Sequence, residues 1–598
     1  MGRVKPGWSL DRVKAHLEAI SPGLFEATLP PTYQPDTAKL YLAYKLTAEP
    51  SATGVSSLRA RYENPLWLLM ATAGLVLLIA CANLANLMLA RATAREREFA
   101  VRLALGASRG RLIRQLLVES LTLALLGTAL GAVLAGALSR ALVSFLATGQ
   151  RSLFLDLSVD WRVLSFTALA AGLTCILFGL APALHAVRIA PGTAVKAAGR
   201  GLTASRQRFG FRRALVVSQV ALSVVLLAGA LLFVRSLRNL LAVDAGFRAD
   251  GLVVASLTLP QADYPVERRH AVRRDLLDRL LAAPGLDSAA EASIVPVSGS
   301  GWNNTIHIEG ETGKNGESFF NSVSPDYFKT MGTPLLSGRD FLPSDMPGSP
   351  PIAVVNQTFS RRFCNGANPV GRRFRVQAPR GEAERVYEIV GLVKDAKYYD
   401  LREDFRPTAF LAVSQDRRPD PWIQYVIHSR GAATTVTNTV KRVVAEVDRN
   451  IGIEFRVFRS QVEESMLRER LMATLTSFFG ALALSIAVLG LYGVMSYMVA
   501  RRRNEIGIRM ALGAGRAHVV GMILREAASL VSVGLAAGIP LTLAATRVVG
   551  SILYNLKPND PATIAAAAAG LAGIALAASY LPARRAAGLD PMLALREE

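Results

Sequence analysis

The sequence predicts a multispanning α-helical membrane protein: seven spans in two repeated units, with an α/β domain outside the membrane. Three observations carry this. Mean hydropathy is +0.30 over 598 residues, of which 51% are hydrophobic and 19% charged, too apolar for a soluble chain of this length. Uncharged runs of membrane length recur, and basic residues gather between them. One element occurs twice. Glu98-Phe99-Ala100-Val101-Arg102-Leu103-Ala104-Leu105-Gly106-Ala107 returns 407 positions later as Glu505-Ile506-Gly507-Ile508-Arg509-Met510-Ala511-Leu512-Gly513-Ala514.

Residues 1–65 are polar and broken by Pro22, Pro30, Pro31 and Pro35. Met1-Gly2-Arg3-Val4-Lys5 is basic, but no apolar stretch follows, so it does not read as a secretory signal. A short helix is expected over Leu10–Ile20. The alternation of Leu40, Leu42, Tyr44 and Leu46 predicts a strand over Lys39–Leu46.

Leu66–Ala90 contains no charged residue. As a helix it is about 37 Å long, enough to cross a bilayer. Further spans are expected at 116–138, 163–184, 214–234, 471–500, 527–549 and 562–581. The polar region 235–470 reads as α/β. Strands are expected at Leu252–Leu259, Ala289–Pro296, Ile352–Val355, Val386–Val393, Thr408–Val413, Ile423–Ile427 and Ile453–Phe458. Helices are expected at Val266–Leu281, Gln357–Phe363 and Thr435–Val447. That order implies a split βαβ sandwich interrupted by a second lobe at about 297–405.

The formal net charge is +22. Most of it lies in three segments: Arg91, Arg95, Arg97, Arg102, Arg109, Arg111 and Arg114; Arg188, Lys196, Arg200, Arg206, Arg208, Arg212 and Arg213; and Arg501, Arg502, Arg503, Arg509, Arg516 and Arg525. Short basic loops stay on the cytoplasmic side, which turns 1–65, 139–162, 235–470 and 550–561 outward. Membrane topology therefore accounts for a pI near 10.3, and no nucleic-acid partner is expected. Three cysteines make no disulfide framework, and six histidines show no ligand spacing. No G-x-x-x-x-G-K-[ST], G-x-S-x-G, H-E-x-x-H or C-x-x-C occurs, so no catalytic, cofactor or metal site is expected and the chain does not read as an enzyme.

The repeat extends beyond its opening motif. Glu119 and Glu526 also stand 407 apart, and Leu180-Ala181-Pro182-Ala183 corresponds to Tyr580-Leu581-Pro582-Ala583. The resulting order is 1–65, the end of a first outer domain; 66–186, a first three-span unit; 187–213, a cytoplasmic basic linker; 214–234, a span; 235–470, the outer domain; and 471–598, a second three-span unit. Symmetry then expects a further N-terminal span and the rest of a first outer domain.

Glu98/Arg102 and Glu505/Arg509 have i, i+4 spacing. Taken singly, each is a helix-surface pair stabilising by roughly a few tenths of a kcal/mol, with Gly106 and Gly513 as C-terminal caps. Two copies in one registry, beside helices entering the membrane, point instead to docking on a cytoplasmic partner. The apolar face is expected from Phe99, Val101, Leu103 and Leu105 and from Ile506, Ile508, Met510 and Leu512. Glu119 and Glu526 are expected to pair with the nearby Arg114 and Arg525 at the membrane interface. Gly127, Gly131 and Gly136, and Gly534 and Gly538, are spaced for close helix packing.

On these residues the chain resembles the FtsX-like permease domain of ABC transporters of the MacB, LolC/LolE and FtsX type, in a double-permease form. The second copy follows the E-x-G-x-R-x-A-L-G-A pattern, and the first has Ala100 where Gly507 stands. Asp590-Pro591 and a short apolar tail are similar to the family's C-terminus, and 240–470 resembles its periplasmic core domain. The resemblance implies a multi-pass protein of the bacterial inner membrane. It also implies that a separate ABC ATPase subunit carries the ATP. Glu98, Arg102, Gly106, Ala107, Glu505, Gly507, Arg509, Gly513 and Ala514 would be the coupling residues that meet that subunit. ATP-driven motion would pass to the outer domain for export or expulsion of a substrate; the alternative is a mechanotransmitting regulator that transports nothing. Membrane lipid is an expected partner, and a periplasmic adaptor or outer-membrane channel is compatible.

Overall fold

The computed structural model describes residues 3–50, 57–94, 102, 108–146, 161–175, 202–310, 315–378 and 381–588. In chain order its elements begin with α1 (Leu10–Ala27), α2 (Pro35–Leu42), α3 (Ser57–Ala94), α4 (Arg109–Leu146), α5 (Trp161–Cys175) and α6 (Leu202–Leu241). Then come β1 (Leu252–Thr258), α7 (Val266–Ala282), β2 (Ser288–Glu291), β3 (Trp302–Ile308), β4 (Asn315–Val323), α8 (Tyr327–Met331) and β5 (Leu335–Gly338). These lead into β6 (Ile352–Asn356), α9 (Gln357–Phe363), β7 (Arg373–Val376), β8 (Arg385–Val393), β9 (Thr408–Ala412), β10 (Trp422–His428), α10 (Ala433–Val447), β11 (Gly452–Val457) and α11 (Phe458–Ser465). Last come α12 (Leu467–Arg501), α13 (Arg503–Ala511), α14 (Arg516–Val549) and α15 (Pro561–Ala587). They form two units, Met1–Arg61 with Val243–Met466, and Tyr62–Ala242 with Leu467–Glu598.

The first unit holds the outer domain. Its frame is a four-stranded antiparallel sheet ordered β11-β1-β10-β2. With β1-α7-β2 and β10-α10-β11 as its two halves, this is the split βαβ arrangement expected from the sequence. Alternation in β1 sends Val253, Ala255 and Leu257 into one core with Leu276, Leu280, Val440 and Val444 of the helices. Leu252 and Val254 face a second core with Tyr327, Phe328, Phe410 and Phe458. The interrupting lobe is a seven-stranded sheet ordered β5-β8-β6-β9-β4-β3-β7. Because β7 also pairs with β8, the strands β8, β6, β9, β4, β3 and β7 close into a ring, with β5 flanking it. Phe359 and Phe363 of α9 pack with Phe320, Phe374 and Ile389 from the ring.

This corrects the expected lobe boundary. β9, placed by sequence in the frame, pairs with β4 and β6 of the lobe, which therefore runs to Ala412. An apolar run shows that a strand is buried, not which sheet buries it. The expected strand over Lys39–Leu46 is also corrected: Pro35–Leu42 is helical. Pro35 at its first position presets a helical φ, and Leu40, Leu42 and Tyr44 are exposed rather than lined up against a core.

Between α7 and the sheet, Arg273 and Glu291 form an ion pair at 2.8 Å, with both side chains buried. Burial outweighs the Arg273 cation and pushes the Glu291 carboxyl up to about 7. The folded state thus holds this proton more tightly than the unfolded chain. The group's contribution to stability is full below pH 4.5 and is lost as pH rises through 7. Over that window the outer domain is expected to lose roughly 3 kcal/mol through this group. In Glu291→Gln that slope should vanish; pulse proteolysis of the full chain from pH 4 to 8 measures it.

In the second unit, α6, α12, α14 and α15 make a bundle. Val216, Val220 and Val224 of α6 meet Leu491, Val494 and Met498 of α12, Leu530 and Val531 of α14, and Ala567, Leu571 and Ala575 of α15. The glycines of α14 permit this approach. A Cβ on Gly534 would stand 2.6 Å from the Val220 side chain, and one on Gly538 2.9 Å from Cα of Ala221. In α4, by contrast, a Cβ on Gly127 or Gly131 meets nothing within 4 Å.

Seven spans were expected; among the described residues five helices are long and apolar enough to cross a membrane. They are Tyr62–Asn86, Arg212–Leu241, Leu467–Arg501, Arg516–Val549 and Pro561–Ala587. The expected span 116–138 lies within the 38-residue helix α4, whose apolar stretch Leu125–Ala141 is shorter. The expected span 163–184 is described only as far as Cys175 in α5.

The two repeats meet across α3 and α12. Val76 and Ile79 share a buried cluster with Ala483 and Ile486, their counterparts 407 positions on. Asn83 lies against its own counterpart, Gly490, where an added Cβ would stand 2.8 Å from Asn83 Oδ1. Like positions meet only on a twofold axis, so a pseudo-twofold runs between these helices.

Candidate coupling helix and its ion-pair anchor

α13 is a nine-residue helix between two membrane-length helices. Its sequence ends it by backbone geometry. Gly513 takes φ +95°, and its N–H donates to Met510 O at 3.0 Å while that of Ala514 donates to Arg509 O at 2.9 Å. These are the two bonds of a Schellman cap, which needs a residue free of Cβ strain at that position. Gly513 and Ala514 are therefore a rigid stop.

Within the helix, Arg509 Nη2 pairs with Glu505 Oε1 at 2.6 Å, the i, i+4 pair expected. Arg502 reaches the same glutamate at 3.9 Å, and Arg509 Nη1 also lies 2.7 Å from Met522 Sδ of α14. Glu505, Ile508, Arg509 and Leu512 are all exposed, Leu512 by 83%. Spaced i, i+3, i+4, i+7, they form one face that combines an ion pair with two apolar side chains. Ile506 and Gly507 are buried on the other side, Ile506 in the bundle core beside Met498 and Val519. This corrects the expected apolar face of Ile506, Ile508, Met510 and Leu512. Residues two apart on a helix lie about 200° around its axis and cannot share a face.

The helix is tied to the bundle through Glu526, which the sequence placed beside Arg525. The structure gives it other partners. Arg502, immediately before α13, donates to Glu526 Oε2 at 2.9 Å, and Arg213 of α6 pairs with Oε1. One largely buried carboxylate thus joins the entry to α13, the start of α6 and the body of α14. Arg212, next to Arg213, sits 4.0 Å over the Tyr497 ring of α12. Arg502 and Arg213 stood in the sequence only as members of basic segments. The 407-residue match of Glu526 to Glu119 was the one signal that this carboxylate matters.

In the first copy, Glu98, Gly106 and Ala107 lie outside the described residues. Arg102 is helical, and its Nη1 donates to Gln115 Oε1 at 3.3 Å.

Residues 70–191 and 477–591 each match the FtsX-like permease C-terminal family, and residues 214–448 match the MacB-like periplasmic core domain. The two permease matches begin 407 residues apart, the offset of the repeat. Among curated relatives, the macrolide export ATP-binding/permease protein MacB of Rhodospirillum rubrum is 28% identical over 427 residues, 68% of this chain and 60% of that protein. MacB of Rhodopseudomonas palustris is 30% identical over 303 residues, 46% of this chain and 43% of that one. The pyoverdine export ATP-binding/permease protein PvdT of Pseudomonas putida is 28% identical over 302 residues, 48% of this chain and 44% of that one. This chain therefore spans less than two thirds of each of these relatives. The periplasmic region of MacB from Actinobacillus actinomycetemcomitans aligns with 36% of this chain and 93% of its own at 12% identity, with a TM-score of 0.25, too slight a likeness to carry weight. The apolar helices and the family together make this a multi-pass protein of the bacterial inner membrane. The chain thus carries two FtsX-like permease C-terminal regions with a MacB-like periplasmic core domain between them.

Proposed function

We propose that this chain is the permease of an ABC-type exporter, taking ATP-driven motion from a separate ATPase subunit and passing it to its outer domain. The observation that carries the reading is the exposed face of α13, with Glu505, Ile508, Arg509 and Leu512 outward and Ile506 locked in the bundle. An ion pair flanked by apolar side chains suits a docking surface on a cytoplasmic protein. Motion delivered there reaches α6 and α14 through Arg502, Glu526 and Arg213. By the repeat, Glu98, Arg102, Gly106 and Ala107 serve the other half in the same way, and ATP is held on the partner. The relatives named for macrolide and pyoverdine export support export or expulsion of a small molecule.

Co-purification in detergent from the native host, with an ATPase assay on the eluate, tests this. The wild-type chain is expected to retain an ATPase. Glu505→Ala with Arg509→Ala should lower that retention by about tenfold, some 1.4 kcal/mol of interface energy. Absence of any co-eluting ATPase would overturn the reading. Stimulation by a protein added on the outer side, and by no small molecule, would replace export with regulation.

A further inference from the structure

The junction of α3, α6 and α12 contains polar atoms the bundle does not satisfy. Among the described residues, Asn83 Oδ1, Asn86 Oδ1 and Nδ2, Gln219 Oε1 and Ser223 Oγ are buried without a hydrogen-bond partner. Asn86, Gln219 and Ser223 are at most 4% exposed. Across helices, Gln219 Nε2 donates to Ile486 O at 2.9 Å. Two of the orphans share one place. A point one Cβ off Gly490 lies 2.6 Å from Gln219 Oε1 and 2.8 Å from Asn83 Oδ1. Asn86 stands one turn from Asn83, and Ser223 one turn from Gln219. Together they make a polar stripe inside spans, where an unsatisfied polar group is costly.

We propose that this stripe holds ordered water between the two halves of the chain. The chemistry selects the ligand. Three of the five orphans are amide oxygens, which only accept, so the occupant must donate. A metal cation would need a counter-charge this deep in a membrane. α6 contains no acid, and the single acid of α12, Glu469, lies near that helix's start, some 30 Å along its axis from Gly490. Water donates twice, carries no charge, and serves two to four buried polar groups at once. A wet contact on the pseudo-twofold also lets α3 shift against α6 and α12 by exchanging hydrogen bonds rather than breaking them.

Radiolytic labelling with H2(18)O, on the full chain in lipid nanodiscs, tests this without an ATPase. Ile79 and Ile486 beside the stripe are expected to take up (18)O about fivefold above lipid-facing Val533, as residues next to held water should. The triple variant Asn86→Leu, Gln219→Leu, Ser223→Ala should lose that excess, and Ser223→Ala alone, which removes only a hydroxyl, should reduce it. Labelling no greater than at Val533 would show a dry seam. An excess that disappears when choline replaces sodium would show a bound cation. Either result overturns the proposal.

Discussion

Glu526→Gln is expected to leave an ATPase bound but uncoupled. The residue lies behind α13, bonded to Arg502 and Arg213, and is largely buried, so it does not form the exposed face. Glutamine keeps the size of the side chain but withdraws the charge that holds two guanidinium groups of different helices together. Retention of the ATPase should match wild type, while its stimulation by the permease falls by about tenfold, in the range of a typical coupling energy. That outcome is the opposite of the Glu505/Arg509 double variant, which loses the partner itself. Loss of retention in Glu526→Gln would instead make Glu526 part of the docking surface.

Gly538→Ala is expected to destabilise the membrane bundle by about 1–3 kcal/mol, the usual range for overpacking. The added Cβ would stand 2.9 Å from both Cα and the carbonyl oxygen of Ala221. A backbone cannot yield as a flexible side chain does. Gly127→Ala in α4 is the matched control. Nothing lies within 4 Å of its added Cβ, so the helix should gain up to about 1 kcal/mol from alanine's propensity. Thermal unfolding of both variants in one detergent separates the two. Equal shifts would mean that α14 and α6 do not pack as described.

How much could be read from the sequence depends on the range of the interaction. Membrane spans and amphipathic helices are written in local periodicity, so Leu467–Arg501 and Ala433–Val447 were foreseen within a few residues. The Glu505–Arg509 pair and the Gly513 cap of α13 were legible because both are local. What was not legible is long-range. Glu526 finds Arg213 across 313 residues, and no neighbouring residue announces it. The strand β3 alternates weakly, with Asn303 and Asn304 inside it, and β5 exposes both Leu335 and Leu336 at the flank of the ring, so neither carries the usual inward-outward signal. The outward face of α13 differs from the expected one because residues two apart on a helix point to opposite sides.

The meeting of Asn83 with Gly490 has an evolutionary meaning. Two identical subunits joined on a twofold axis must carry the same residue on both sides of it, so a substitution there is always made in duplicate. An asparagine would have to face an asparagine, or a glycine a glycine. Joining both halves in one polypeptide lifts that constraint. Each half can then accumulate changes that suit its own side, as Ala100 at the repeat position of Gly507 also illustrates. Fusion thus turns a symmetric machine into one whose halves are free to specialise.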